Sequence, residues 1–188
     1  MDMSKKVARL YEQFQPEHYD VTLDIDRDNM SFNGTVTLKG KKVGRPSQRL
    51  TFHQKDLKIT HASALKHDKN GEHPVNITRI NAQDSFDEIR LHSDAMVYPG
   101  EYTVTMEFTG NINKDMHGIY PCFFEHEGKE KKLIATQFES HHAREALPCI
   151  DEPEAKATFD LTLVTPSGET VLGNTPVKSK ETDDGRQT

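Results

Sequence analysis

Gln137 and Glu139 stand two residues apart in the run Thr136-Gln137-Phe138-Glu139. On a strand end that spacing turns both side chains to one face, roughly 6–7 Å apart along the chain. An amide and a carboxylate so arranged can grip a cation. A substrate ammonium suits them, because a hydrogen bond to a charged group is worth roughly 1.5–3 kcal/mol. The same spacing also fits an exposed strand end that caps the turn after it.

The polar residues that follow read more simply as structure. His141 and His142 are adjacent. On a helix adjacent side chains diverge by about 100°, and on a strand they face opposite sides, so one metal does not readily take both. They read as surface histidines on a turn. Asp151-Glu152-Pro153-Glu154 fits a helix start, with Asp151 as N-cap, Pro153 in the first turn and Glu154 reaching back. The same carboxylates could face a cation. Arg144 is placed to pair with Asp151 or Glu154. His126-Glu127 is followed by Gly128, Lys129 and Glu130, so it opens no His-Glu-x-x-His zinc motif. The sequence has no Gly-rich phosphate loop, no Gly-x-Ser-x-Gly elbow and no nucleophile context around either cysteine. It holds no complete catalytic constellation.

The elements that must carry these residues are strands. From Tyr19, Val21, Leu23 and Ile25 alternate with Asp20, Thr22, Asp24 and Asp26, the period of a half-buried strand. Phe32, Val36 and Leu38 continue the pattern after a turn at Asp28-Asn29. Leu50 and Phe52, Leu57 and Ile59, Val75 and Ile77, and Ile89 and Leu91 mark shorter strands. Asn70-Gly71 and Pro99-Gly100 supply turns between them. Tyr102, Val104, Met106 and Phe108 alternate again. Phe123 and Phe124 lead to a charged hairpin tip, and the chain returns from Leu133 to Glu139. Phe159, Leu161 and Leu163 form a further strand. Short strands spaced by turns, with no helix of crossover length between them, predict an all-β, sandwich-like domain of several sheets and disfavour a parallel α/β sheet. Val7, Leu10, Tyr11 and Phe14 predict a short helix, capped by Ser4 and stopped by Pro16, so residues 1–15 read as a helical extension. At the other end, Val177 to Glu181 reads as a strand entering a turn at Asp183-Asp184-Gly185. Its returning arm is expected to be missing, as if the chain were cut from a longer protein.

With 188 residues the chain suits one domain. Its 24 Lys+Arg against 30 Asp+Glu give a net charge of −6, which argues against a nucleic-acid binder and against docking on anionic membrane. No apolar run nears a membrane span, and no apolar signal core follows Met1. Cys122 and Cys149 read as two reduced thiols of a cytoplasmic protein. The Asn-x-Ser/Thr matches at Asn29, Asn33 and Asn76 read as chance.

Together these residues resemble a known family. Thr136-Gln137-Phe138-Glu139, Ala143-Arg144, Pro148-Cys149, Asp151-Glu152-Pro153 and Lys156-Ala157-Thr158-Phe159 resemble the N-terminal domain of the zinc aminopeptidases of the aminopeptidase N family. Pro16-Glu17-His18-Tyr19-Asp20-Val21, Phe32-Asn33-Gly34, Gly100-Glu101-Tyr102, Phe108-Thr109-Gly110 and Gly118-Ile119-Tyr120 are similar to its earlier strands. The resemblance covers Pro16 to Thr188. It implies a β-rich, saddle-shaped domain over residues 16–188, set against a catalytic domain absent from this chain. That second domain would carry a zinc held by His-Glu-x-x-His and a later Glu. The zinc would polarise the scissile carbonyl and the attacking water, with the helix Glu as general base. The activity implied for the whole protein is removal of the N-terminal residue from peptides. This chain alone is expected to be inactive and to bind no zinc. By the same resemblance Gln137 and Glu139 line the pocket for the first substrate residue, and Glu139 helps bind its free α-amine. Ile150 departs from a usual aromatic, and Ser140-His141 from a Pro- or Thr-containing step. Two alternatives are a non-catalytic relative acting as a protein-interaction scaffold and a free-standing β-sandwich binding module for peptide or sugar. A complete last hairpin would favour the module.

Overall fold

The computed structural model describes residues 9–188. Thirteen strands run through them: β1 (Phe14–Asp26), β2 (Ser31–Lys42), β3 (Ser47–His53), β4 (Lys58–Asp68), β5 (Gly71–Val75), β6 (Ile77–Gln83), β7 (Glu88–Val97), β8 (Gly100–Asn111), β9 (Gly118–His126), β10 (Lys129–Gln137), β11 (Thr158–Pro166), β12 (Thr182–Asp183) and β13 (Arg186–Gln187). The helical elements among the described residues are single 3-10 turns, so the fold is all-β as predicted. An eight-stranded sheet has the order β12-β13-β11-β1-β2-β8-β4-β5, a three-stranded sheet the order β3-β7-β6, and β9 and β10 form a separate hairpin.

Alternation builds the core. Tyr19, Val21 and Leu23 of β1, Phe32, Val36 and Leu38 of β2, and Tyr102, Val104, Met106 and Phe108 of β8 are buried. They form one apolar cluster with Leu50, Phe52, Ile89 and Leu91 of the small sheet. Two glycines are required where β2 meets β8. Gly34 faces Phe108 and Gly110 faces Phe32 across the ladder. A Cβ on either glycine would lie 2.3 Å from the opposing ring, so each ring covers a bare backbone.

Two expectations need correction, and one strand pairing was not foreseen. The predicted N-terminal helix is, among the described residues, only a 3-10 turn at Leu10–Glu12, and Phe14 already opens β1. Ser4 and Val7 lie outside the described residues. Pro16 lies within β1, at a register shift between Pro16 and His18, where a missing N–H is tolerated. The last hairpin has both arms: β12 pairs with β13, and β13 pairs with β11 through Thr165↔Gln187 and Pro166↔Arg186, so a missing arm does not count against a free-standing module. Val177 to Glu181 is not a strand. Finally, β1 and β11 pair in parallel from His18↔Thr158 to Asp24↔Val164. No crossover helix makes this pair. The chain between them passes through nine further antiparallel strands, so a parallel ladder arises without an α/β unit. No helix among the described residues is long and apolar enough to cross a membrane.

Candidate functional site

Strand β10 ends at Gln137, whose ladder partner is Gly118 at the start of β9. Phe138 tucks partly into the core, which leaves Gln137 and Glu139 on either side of it exposed. The Glu139 N–H donates to Gln137 Oε1 at 3.4 Å, so the two residues meet as a pair just past the strand end. Glu139 lies beyond the strand rather than in it, and the Glu139–Ser140 peptide is cis. The Glu139 carboxylate faces solvent and carries no ion pair among the described residues.

The segment after Glu139 is tied down along its length. His142 N–H donates to the Phe138 carbonyl at 2.9 Å, and a 3-10 turn follows at Ala143–Glu145. Residues 145–150 are buried. His53 and Cys149 exchange backbone hydrogen bonds of 2.8 and 3.1 Å. The Ile150 N–H donates to the Tyr19 hydroxyl at 3.0 Å, and the Asp151 N–H to His53 Nδ1 at 3.0 Å. Arg144 Nε donates to Asp151 Oδ2 at 3.0 Å, with Asp87 Oδ2 3.5 Å from Nη1. The structural ion pair expected of Arg144 is therefore present, with Asp151 as its partner. Burial lowers the His53 pKa, helped by nearby Arg144. It also pushes the Cys149 thiol well above its ordinary range, so that thiol is inert packing. Cys122 and Cys149 are both free.

Two sequence readings change. Asp151 starts no helix; its carboxylate serves Arg144. Glu152 turns back to the front of the chain instead, where its oxygens meet Arg9 and the backbone of Leu10. One grouping escaped the sequence reading entirely. His117, His142 and Glu145 converge, with His117 Nδ1 at 2.7 Å from Glu145 Oε2 and His142 Nδ1 at 3.1 Å from Oε1. His141 is exposed and His142 half-buried, yet their rings do not diverge: they stack at 4.6 Å and 26°. The inner partner comes from 28 residues away, and local spacing carries no signal for that.

The match to known proteins follows the same stretch. A model of the peptidase M1 N-terminal domain family matches residues 15–188. The chain belongs to that family. Aminopeptidase N of Lactococcus lactis subsp. lactis is 41% identical over 177 residues, covering 93% of this chain and 19% of that protein. Aminopeptidase N of Lactobacillus delbrueckii subsp. lactis is 38% identical over 172 residues, covering 90% and 19%. Glutamyl aminopeptidase of Rattus norvegicus is 29% identical over 181 residues, covering 95% and 19%. The chain thus spans about a fifth of the length of these relatives, at their N-terminal part.

The His-Glu-x-x-His zinc site that the family resemblance implies does not fit His126 and Glu127. His126 and Glu127 lie at the exposed tip of the β9–β10 hairpin, side chains 64% and 84% exposed, and no second histidine completes the motif. No chemical step is therefore assigned to a metal in this domain.

Proposed function

We propose that this chain is the substrate-pocket domain of a zinc-dependent aminopeptidase and that Gln137 and Glu139 receive the α-ammonium of the peptide's first residue. The carrying observation is the Glu139 carboxylate: exposed, beside the Gln137 amide, and without a cation among the described residues. A solvated carboxylate costs little until a substrate covers it. Once covered, it needs a positive partner, and a free peptide N-terminus supplies one. A blocked N-terminus leaves the carboxylate desolvated and unpaired, which penalises the wrong substrate. Zinc, held by residues outside this chain, would supply the hydrolytic chemistry.

The remainder of the same protein is the proposed partner. Phe123, Phe124 and Leu133 on the β9–β10 hairpin, and Phe159 and Leu161 on β11, expose large apolar side chains, which suit contact with a further domain. Two free thiols suit a cytoplasmic setting.

The test uses the full-length protein. Glu139→Ala should raise KM for an amino-acid arylamide at least tenfold while zinc content stays unchanged. Gln137→Ala should act in the same direction more weakly. Unchanged kinetics in Glu139→Ala would remove the assigned role. The 188-residue chain alone should cleave no arylamide.

A further inference from the structure

Against the expectation that this chain binds no zinc, we propose that His117, His142 and Glu145 form a binding site for one divalent transition-metal ion, of the zinc, cobalt and nickel class, separate from any catalytic zinc. His117 comes from the turn before β9, and His142 and Glu145 come from the 3-10 turn after Glu139. Their ligand atoms all lie within 4.8 Å of one another. Both imidazoles turn Nδ1 toward the same carboxylate, at 2.7 and 3.1 Å; their rings stack at 4.0 Å and 19°, so binding requires them to tilt until both ring planes meet at the ion. Two imidazole nitrogens and one carboxylate oxygen are the donor set that borderline divalent ions prefer, and three protein ligands leave an open position for water.

The surroundings hold these groups ready. The Glu145 side chain is 5% exposed, whereas those of His117 and His142 are 30% and 20% exposed. The carboxylate is therefore fixed inside while the imidazoles border solvent, which leaves an entry path. Gly118, at φ +65°, lies against Glu145; a Cβ there would fall 2.9 Å from both Glu145 Cβ and Oε2. The bare backbone makes the cradle in which the carboxylate sits. Lys55 Nζ donates to Oε1 at 2.9 Å. An ion on Oε2 leaves that bond in place, so one carboxylate oxygen binds metal while the other is held by an outer donor, as in orienting shells of known metal sites. A tetrahedral ion with bonds of roughly 2.0–2.1 Å needs its ligand atoms roughly 3.3 Å apart, so the three groups close slightly on binding. The ion takes the Nδ1 lone pair of each imidazole; any Nδ1 proton is released to water, and the ring keeps its proton on Nε2.

The test uses the 188-residue chain, stripped with chelator and titrated with Co²⁺ by visible absorption and with Zn²⁺ by calorimetry. One equivalent of each should bind, and the cobalt form should show the intense bands of a four- or five-coordinate site. His117→Ala and His142→Ala should each weaken binding at least tenfold, with circular dichroism confirming retained strand content. His126→Ala, at the exposed tip of the β9–β10 hairpin, is the control and should leave affinity within twofold. In the unaltered chain, Zn²⁺ should shift the Nδ1 resonances of His117 and His142 in ¹⁵N spectra, which needs no variant to fold. Absence of saturable binding, equal loss in His126→Ala, or shifts confined to other histidines would overturn the site and leave the carboxylate as a purely structural hub.

Discussion

Leu10 and Glu152 lie 142 residues apart and share a 2.6 Å hydrogen bond, with the Leu10 N–H donating to Glu152 Oε1. The Tyr11 N–H reaches the same oxygen at 3.4 Å, and Arg9 Nε donates to Oε2 at 3.0 Å. The carboxylate caps the first N–H groups of a 3-10 turn that its own neighbours leave without a side-chain cap. A turn of three residues is too short to sustain itself. The cap and the burial of Leu10 fasten the front of the domain to the loop that follows the Gln137–Ile150 segment.

Glu152→Ala should therefore destabilise the chain by about 1–2 kcal/mol, the usual cost of losing a cap with its charge-assisted bonds. Glu152→Gln keeps an acceptor oxygen for Leu10 and loses only the ion pair with Arg9, so about half that cost is expected. Urea unfolding of the two variants separates cap from charge: equal losses would mean that the ion pair carries the whole effect.

The same contact shows where the sequence was legible. The alternation of β1, β2 and β8 encodes which faces are buried, and the structure follows it through the strand centres, though Ile25 at the end of β1 is only half-buried. Leu10 and Phe14 are buried as well, and their spacing is helical. A buried turn residue followed by the first inward residue of a strand gives the same interval, so periodicity alone does not separate the two. Gln137 and Glu139 stood out because a short local pattern carries them, and they do meet at the strand end. The His117–His142–Glu145 grouping and the parallel β1–β11 ladder join residues distant in the chain, and no local pattern names the partner. Asp151 to Glu154 misled for the opposite reason. Their local pattern is a good helix start, but Asp151 and Glu152 bind more strongly to Arg144 and to the N-terminal turn.

Glu145 sets an acid limit on stability. Burial alone would raise its pKa, but hydrogen bonds from Lys55, His142 and His117 outweigh that and hold it at about 2, against an ordinary 4.5. A depressed carboxylate contributes stability that is fully present above its unfolded pKa and is lost as pH falls through its folded one. The window is thus between about pH 4.5 and pH 2, and the linkage is worth on the order of 3 kcal/mol. Unfolding midpoints in urea should fall steeply across that window in the unaltered chain. Glu145→Gln should be less stable near neutrality and lose little more below pH 4.5, so that the two curves converge near pH 2. Parallel curves would show that the carboxylate is not the titrating group.

Tyr19 links the core of the large sheet to the segment that carries the proposed substrate pair. Its side chain is buried, its ring stacks on Phe159 at a centroid distance of 4.7 Å, and its hydroxyl accepts the Ile150 N–H at 3.0 Å. Burial pushes the phenol far above its ordinary range, so it stays neutral at any working pH. Tyr19→Phe keeps the ring, the stack and the volume, and removes only the acceptor. The Ile150 N–H is then left buried without a partner, which costs about 1–3 kcal/mol, or a fall in Tm of about 2–10 °C for a chain of this size. Tyr19→Ala adds a cavity and should cost about 3–5 kcal/mol. Because the paired backbone bonds between His53 and Cys149 and the Arg144–Asp151 pair still hold the segment, Tyr19→Phe should loosen it rather than release it. In the full-length protein KM for free-amine substrates should then rise while zinc content stays fixed. A Tyr19→Phe chain that melts with the unaltered one would mean that the Ile150 N–H finds another acceptor, and that the segment is held by the His53–Cys149 bonds and the Arg144–Asp151 pair without Tyr19.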